Sequence, residues 1–187
     1  MVGVSNHLAS LSLREGDYEA AEQHFKDELA IGENVSAVYN SFIAKHYDPR
    51  FSAEELAEIA NQFEGLYIKE VNAQRAITEK RKGKRLRLGL LSGSFRTHPV
   101  GQMILPALTS VDKNEVEFFF YTTNHIVDNL TLEIKKVADS WVSVTGLSDD
   151  QLNQKIRNDH IDILIDMNGG GEGSRFMALT KEPAPLI

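Results

Sequence analysis

Residues 86–101 have the sequence LRLGLLSGSFRTHPVG, and this stretch decides the fold of the second half of the chain. Residues 86–91 are mostly apolar, as expected of a strand that is buried on both faces of a sheet. A polar loop follows, and it ends at Pro99, a residue type favoured in the first turn of a helix. The stretch therefore predicts a strand over 86–91, a loop, and a helix over 100–110.

The same order of strand, loop and helix continues along the chain. Further strands are predicted at 116–122, 141–144 and 161–167, and further helices at 127–140, 149–158 and 174–181. Strands that alternate with helices form parallel sheets with right-handed crossovers, so we expect a Rossmann-like α/β unit. With the strand order 3-2-1-4, the first and fourth strands are neighbours, and ligands bind beyond their carboxyl ends. The two loops at those ends form the candidate functional site.

The loop after the first strand carries one histidine and one arginine. Because Pro99 begins a helix, we expect His98 to lie at or beside the N-cap and to face the crevice. A neutral imidazole there can exchange a proton or hydrogen-bond a hydroxyl or phosphate, but a role limited to capping the helix fits equally well. Arg96 is suited either to hold a phosphate or to pair with an acid.

The loop after the fourth strand is rich in glycine. Residues 166–175 have the sequence DMNGGGEGSR, and the glycines allow backbone amides to approach a phosphate or a sugar closely. The loop is not the dinucleotide-binding fingerprint, because Ser174 occupies the position of the third glycine. A flexible turn between a buried strand and a helix is the alternative interpretation.

The first half of the chain shows helical periodicity and almost no strand signal. Residues 8–30 predict two antiparallel helices with a tight turn, in a pattern that resembles one tetratricopeptide repeat; any helical hairpin could show the same seam. A second helix pair is predicted at 35–46 and 52–76, where Ser52 and Glu55 have capping-box spacing. The repeat-like positions are Gly16, Tyr18, Ala21, Phe25 and Leu29.

A basic stretch separates the halves. We predict a helical tetratricopeptide-like region over 1–78, a basic linker over 79–85, and a Rossmann-like unit over 86–187. Basic stretches also serve as nuclear addresses or nucleic-acid patches. A solvated linker is the better interpretation here, because the protein is acidic and the stretch directly precedes a strand.

Composition excludes several classes of protein. The 187 residues contain 20 Lys and Arg against 27 Asp and Glu, a formal charge of −7, which argues against coating nucleic acid or an anionic membrane. With no cysteine, disulfides, thiolate metal sites and cysteine nucleophiles are excluded. No signal peptide or membrane-spanning stretch is evident, so we expect a cytoplasmic protein.

Four segments in order resemble landmarks of the O-linked N-acetylglucosamine transferase and SPINDLY-like family. They are residues 86–101, 116–121, 162–169 and 183–185. The resemblance implies one half of a GT-B glycosyltransferase, in which two Rossmann-like halves face a cleft. It further implies transfer, without a catalytic metal, from a nucleotide-sugar to serine or threonine hydroxyls of proteins.

The resemblance also assigns residues. His98 matches the histidine of the family's His-Pro motif, which has catalytic or substrate-positioning roles, and we predict it as catalytic. Asn168 and Gly169 match an Asn-Gly turn on the same cleft wall, and bacterial relatives often carry histidine where this chain has Gly170. The predicted substrate-binding residues are Phe95, Arg96, Pro99, Asn168, Gly169, Gly170 and Arg175.

The expected donor is UDP-GlcNAc or a related nucleotide-sugar, with no covalently bound cofactor. In that family the donor is held mainly by the second half, so we expect this chain to be an N-terminal portion that is inactive alone. Expected partners are an acceptor protein or peptide with Ser or Thr and the missing C-terminal catalytic half, with no nucleic acid and no membrane. The alternatives are a non-catalytic tetratricopeptide-type interaction module and a nucleotide-binding regulator that uses the glycine loop.

Overall fold

The computed structural model of the protein describes residues 3–32, 35–67, 76, 84–169 and 173–187. The chain divides into two units, Met1–Glu70 and Val71–Ile187. The predicted linker over 79–85 lies mostly outside the described residues, so the three-part division of the chain stays a prediction.

The first unit consists of helices in antiparallel pairs. Gly16 ends the first helix in a left-handed conformation, with φ of 78°, and the side chain of Asp17 then accepts the Ala20 N–H at the start of the second. The predicted turn at Gly16 is therefore present. The helices are α1 Val4–Glu15, α2 Tyr18–Ile31, α3 Val35–Tyr47 and α4 Ala53–Tyr67.

Small and aromatic side chains form the core of this unit. Ala9, Phe25 and Ala44 are buried together, and Leu13 packs against them. The predicted capping box is confirmed before α4: the Ser52 N–H donates to Glu55 Oε2 at 2.8 Å, and the Glu55 N–H donates to Ser52 Oγ at 3.2 Å. Of the predicted extension of this helix over 68–76, residues 68–75 lie outside the described residues, and Ala76 is not helical, because its N–H donates to the Glu182 carbonyl at 3.1 Å.

The second unit is a four-stranded parallel sheet with helices between its strands. The strand order is β3-β2-β1-β4, which confirms the predicted order and the Rossmann-like class. The elements are β1 Leu86–Ser92, α5 Pro99–Ser110, β2 Val116–Thr122, α6 Asn129–Val137, β3 Ser140–Ser143, α7 Asp149–Asn158, β4 Ile163–Asp166 and α8 Phe176–Leu179.

Three elements of the second unit are at least three residues shorter than predicted. Helix α6 begins at Asn129, because Asp128 is its N-cap, and it ends before β3. Strand β4 is limited to Ile163–Asp166, and α8 is a single short turn, Phe176–Leu179. Apolar content alone does not mark these ends, because the flanking turn residues are also partly buried.

Both faces of the sheet are covered, which explains the continuous apolar runs in its strands. Phe118 and Phe120 of β2 point to one face, where Ile134 of α6 is also buried. Tyr121 points to the other face and packs in a cluster that includes Leu152 of α7. Within the described residues, no helix combines the length and apolarity that a membrane crossing requires.

Replacing Ile134 by alanine should lower the free energy of unfolding of this unit by about 2–5 kcal/mol, because the side chain is fully buried. Leu132 on the same helix is 50% exposed, so Leu132→Ala is a matched control with an expected change within about 0.5 kcal/mol. Denaturant unfolding followed by the fluorescence of Trp141 measures both variants. Equal unfolding midpoints for the two variants would contradict this packing.

Candidate functional site

The pairing of β1 with both β2 and β4 brings the ends of these strands to one edge of the sheet. Ser92 is in register with Thr122, and Leu91 is in register with Asp166. Because the strands are parallel, the loops that follow them begin side by side. The loops after β1 and β4 therefore meet, as the sequence predicted, and the loop after β2 joins them.

These loops enclose a cleft of about 260 Å³. Its described lining is Gly93, Ser94, Arg96 and His98 from the loop after β1, Val100 from α5, Thr123 and Asn124 after β2, and Met167, Asn168 and Gly173 after β4. No acidic side chain is among these residues. Of the residues predicted to bind substrate or to act in catalysis, Arg96, His98 and Asn168 are thus brought together.

The side-chain amide of Asn168 joins all three loops. Its Oδ1 accepts hydrogen bonds from Ser92 Oγ at 3.1 Å and from the Gly93 N–H at 2.9 Å. Its Nδ2 donates to Thr123 Oγ1 at 3.3 Å and to the Gly173 carbonyl at 2.9 Å. An amide side chain has two donor hydrogens and two acceptor lone pairs, so these bonds use its full capacity. Asn168 therefore builds the cleft wall, and a direct bond to substrate would require it to release one of the loops.

Two glycines allow the loops to approach each other this closely. Gly173 has φ of 76°, and a Cβ there would lie 2.5 Å from Thr123 Oγ1. A Cβ on Gly101 in α5 would lie 2.3 Å from the carbonyl oxygen of Arg96. Both distances are far below van der Waals contact, so any larger residue would push the loops apart.

His98 both caps a helix and lines the cleft, so capping is confirmed and contact with a ligand stays a prediction that this position allows. It is the N-cap of α5, and its Nδ1 accepts the Val100 N–H at 3.2 Å, while Pro99 occupies the first helical position. With Nδ1 as the acceptor, the ring is the neutral tautomer with its proton on Nε2. No hydrogen bond joins Nε2 to a described residue, so this N–H is the group that a ligand in the cleft can use.

Asp128 holds the backbone just before His98. One carboxylate oxygen accepts the Thr131 N–H at 2.9 Å, which caps α6, and the other accepts the Thr97 N–H at 2.6 Å. These two backbone bonds, that of Thr131 first, stabilise the carboxylate and hold the pKa of Asp128 well below its usual range. The histidine loop is thereby tied to the start of a neighbouring helix.

A second carboxylate supports the glycine loop. Asp166 at the end of β4 accepts the Asn168 N–H at 3.1 Å. Burial raises the pKa of Asp166, and the hydrogen bonds from Asn168 and Gly169 oppose that shift. Asp166 thus shapes the turn that presents Asn168 to the other loops.

Arg96 pairs with no acidic side chain among the described residues. Its Nε is enclosed by the protein and has no hydrogen-bond partner within the part of the chain that the structure describes. The guanidinium nevertheless belongs to a residue that lines the cleft. Among the described ranges, no group of three or more histidines and carboxylates is arranged to hold a metal ion.

Other predicted site residues lie elsewhere. Phe95 is 2% exposed and packs in the core, with its ring centroid 5.0 Å from that of Phe120 and 5.6 Å from that of Trp141. Pro99 begins α5, and Gly169 is exposed; neither lines the cleft. Gly170 lies outside the described residues. These contacts favour a packing role for Phe95, and substrate binding by these residues stays a prediction.

Arg175 is also engaged away from the cleft. Its guanidinium donates to Asp149 Oδ1 at 2.8 Å, to the Val144 carbonyl at 3.0 Å and to the Leu147 carbonyl at 2.8 Å. These bonds fix the loop that precedes α7. They favour a structural role for a residue that we predicted to bind substrate.

The sequence analysis missed the loop after β2. Thr123 and Asn124 line the cleft because β2 is the other neighbour of β1. The predicted strand order already placed the carboxyl end of β2 at this edge, so this signal was available from the sequence.

The sheet order and the position of the cleft define the second unit as a Rossmann-like α/β unit with a ligand site at the carboxyl ends of its strands. Residues 55–187 match the family model described as Glycosyl transferase family 41. The chain belongs to this glycosyltransferase family.

Similar proteins agree with this family and confirm the resemblance to O-linked N-acetylglucosamine transferases and SPINDLY-like proteins. The chain is 32% identical over 111 residues to the probable UDP-N-acetylglucosamine–peptide N-acetylglucosaminyltransferase SEC of Arabidopsis thaliana, covering 57% of this chain and 11% of the relative. It is 24% identical over 157 residues to the probable UDP-N-acetylglucosamine–peptide N-acetylglucosaminyltransferase SPINDLY of Hordeum vulgare, covering 81% of this chain and 16% of the relative. A solved mutant O-GlcNAc transferase of Thermobaculum terrenum matches with a TM-score of 0.87 and 26% identity, covering 97% of this chain and 35% of that chain. The chain thus spans a minor part of the length of these proteins.

The Asp128 carboxylate should make the unfolding free energy sensitive to acid. Because its pKa is lowered in the folded state, its contribution is complete above the pKa of the unfolded chain, about 3.9 for aspartate, and is lost as the pH falls through the folded value. We therefore expect Asp128→Asn to flatten the fall in stability below about pH 4.

Denaturant titrations at several pH values measure this effect. The control is Glu115→Gln, because Glu115 is exposed and its side chain makes no hydrogen bond or ion pair with the residues that the structure describes, and we expect this variant to keep the wild-type pH profile. An Asp128→Asn profile that matches the wild type would contradict the two backbone bonds assigned to this carboxylate.

Proposed function

We propose that this chain forms the acceptor-side wall of the active-site cleft in a protein O-glycosyltransferase. A serine or threonine hydroxyl of the acceptor protein attacks the anomeric carbon of a nucleotide-sugar, a new C–O bond forms, and the bond to the nucleotide diphosphate breaks. UDP-GlcNAc or a related compound is the donor. The observation that carries the proposal is His98, which lines the cleft with Nε2 unoccupied while Nδ1 is held by α5.

The family and its relatives support this chemistry. The relatives named above are described as UDP-N-acetylglucosamine–peptide N-acetylglucosaminyltransferases, and the similarity to SEC covers more than half of this chain. The parallel sheet and the cleft beyond its carboxyl ends are also compatible with one half of a GT-B enzyme.

His98 acts as a hydrogen-bond donor in this proposal. In the tautomer fixed by the Val100 N–H, Nε2 already carries a proton and cannot accept the proton of the attacking hydroxyl. The Nε2–H group instead orients the hydroxyl oxygen or stabilises negative charge on the departing diphosphate. The histidine is a catalytic residue through this contact, and the proton of the acceptor leaves by another route.

The second Rossmann-like half of a GT-B enzyme completes the site in this proposal. That half binds most of the nucleotide-sugar, and the chain alone does not transfer sugar. Incubation of the purified 187-residue chain with UDP-GlcNAc and a Ser/Thr-rich peptide tests this point. Measurable transfer or sugar hydrolysis by the chain alone would refute it. We also propose that the protein acts in the cytoplasm.

A non-catalytic peptide-binding module is the second candidate function. It is favoured by a groove of about 410 Å³ in the helical unit, lined largely by apolar and aromatic side chains that include Tyr18, Phe25 and Tyr47. Calorimetry with nucleotide-sugars and with Ser/Thr-rich peptides separates the two functions. Peptide binding by a full-length protein that neither binds nor turns over a nucleotide-sugar would support the module.

Two substitutions at His98 separate chemistry from helix capping in the full-length enzyme. We expect His98→Ala and His98→Asn each to lower turnover by about 100-fold or more, because both remove the imidazole donor. Asparagine is a good N-cap and alanine is not, so only His98→Ala should lose about 1 kcal/mol of stability.

Turnover assays combined with thermal unfolding of the same preparations measure both effects. The diagnostic variant is His98→Asn, which keeps an acceptor for the Val100 N–H. Wild-type turnover in His98→Asn would reduce His98 to a helix cap and remove the central support of the proposed function.

A further inference from the structure

The loop after β1 divides its residues between the cleft and the core. Ser94, Arg96 and His98 line the cleft, whereas Phe95 is buried in the core and the Thr97 N–H is bound by Asp128. The Arg96 N–H donates to the Ser94 carbonyl at 2.8 Å, so the chain turns between these two residues before it reaches His98, the N-cap of α5. The loop therefore lines one space with a serine, an arginine and a histidine.

Arg96 differs from the other described arginines of this unit. Arg85 and Arg87 pair with Glu117, Arg157 donates to Asn153, and Arg175 donates to Asp149. The Nε of Arg96 is enclosed without any acceptor. An enclosed N–H without an acceptor is unfavourable, so a ligand that turns this guanidinium into the cleft and supplies an acceptor there is favoured.

The charge of the cleft indicates what kind of acceptor fits. The described lining contains Arg96 and no carboxylate, although the whole chain carries a formal charge of −7. Guanidinium N–H groups form a planar fork that matches two oxygens of one phosphate group. The Nε2–H of His98 and the hydroxyl of Ser94 supply further donors and no negative charge.

We propose that Arg96, with His98 and Ser94, binds a diphosphate, and that this is the diphosphate of the sugar donor. The assignment to the donor rests on the proposed function, whereas the anion site itself rests on the unpartnered Nε of Arg96 and on a described cleft lining that contains no carboxylate. Binding requires the terminal torsions of Arg96 to turn Nε and one Nη toward the cleft. In this proposal the Arg96 guanidinium contacts the departing diphosphate, so this half of the enzyme contacts the donor as well as the acceptor.

The test is NMR titration of the ¹⁵N-labelled 187-residue chain with pyrophosphate, orthophosphate, UDP and uridine, each at an ionic strength matched with NaCl. We expect pyrophosphate and UDP to shift the Arg96 Nε–H and His98 ring signals saturably and with similar affinity. Uridine should shift neither signal, and orthophosphate should bind more weakly than pyrophosphate.

Two substitutions locate the site. Arg96→Gln should weaken pyrophosphate binding by about tenfold or more. Arg85→Gln removes the same charge at the opposite end of β1, where Arg85 is bonded to Glu117 and Asp139, and should bind as the wild type does. Retention of the native amide spectrum shows that each variant is folded.

Several results would overturn the proposal: pyrophosphate shifts no larger than those of NaCl, equal binding by wild type and Arg96→Gln, orthophosphate binding as tight as pyrophosphate, or a response to uridine alone. Failure of the proposed function is distinguishable from these results. A full-length protein without transferase activity whose Arg96 still binds pyrophosphate would retain the anion site and lose only its assignment to a sugar donor.

Discussion

One side-chain amide holds the cleft wall in place. Asn168 makes hydrogen bonds to the loops after β1 and β2 and to the far end of its own loop, at Gly173, and in doing so uses all of its donor and acceptor capacity. The parallel register of β1 with its two neighbours brings these loops to one edge, but register alone leaves loops free to move. The amide converts three adjacent loops into one surface.

Two hydrogen bonds hold His98 in its place at the cleft. The Thr97 N–H is bound by the N-cap carboxylate of α6, and the imidazole Nδ1 is bound by the first turn of α5. The ring therefore meets the cleft with a defined N–H donor, and little reorganisation remains for substrate binding. The same loop places Arg96 in the lining of the cleft. A wall whose described lining has hydrogen-bond donors and no carboxylate suits a reaction in which negative charge develops on a departing phosphate.

The alternation of predicted strands with predicted helices indicated a Rossmann-like sheet and, with it, the strand order. The position of Pro99 at the start of a helix indicated that His98 lies in the cleft, because both patterns depend on local preferences. They did not predict where individual loop side chains point. Phe95 turns into the core to meet Phe120, and Arg175 binds carbonyls before α7; each choice depends on partners distant in sequence. The four-bond role of Asn168 depends on loops that meet only in the folded sheet.

The side-chain amide protons of Asn168 give the most direct measurement of this arrangement. In a NOESY spectrum of the ¹⁵N-labelled chain, both Nδ2 protons should show cross-peaks to Thr123 and to Gly173 and should exchange slowly with water. Rapid exchange and the absence of both cross-peaks would show that the three loops are not joined through this amide, and the preformed cleft wall would lose its physical basis.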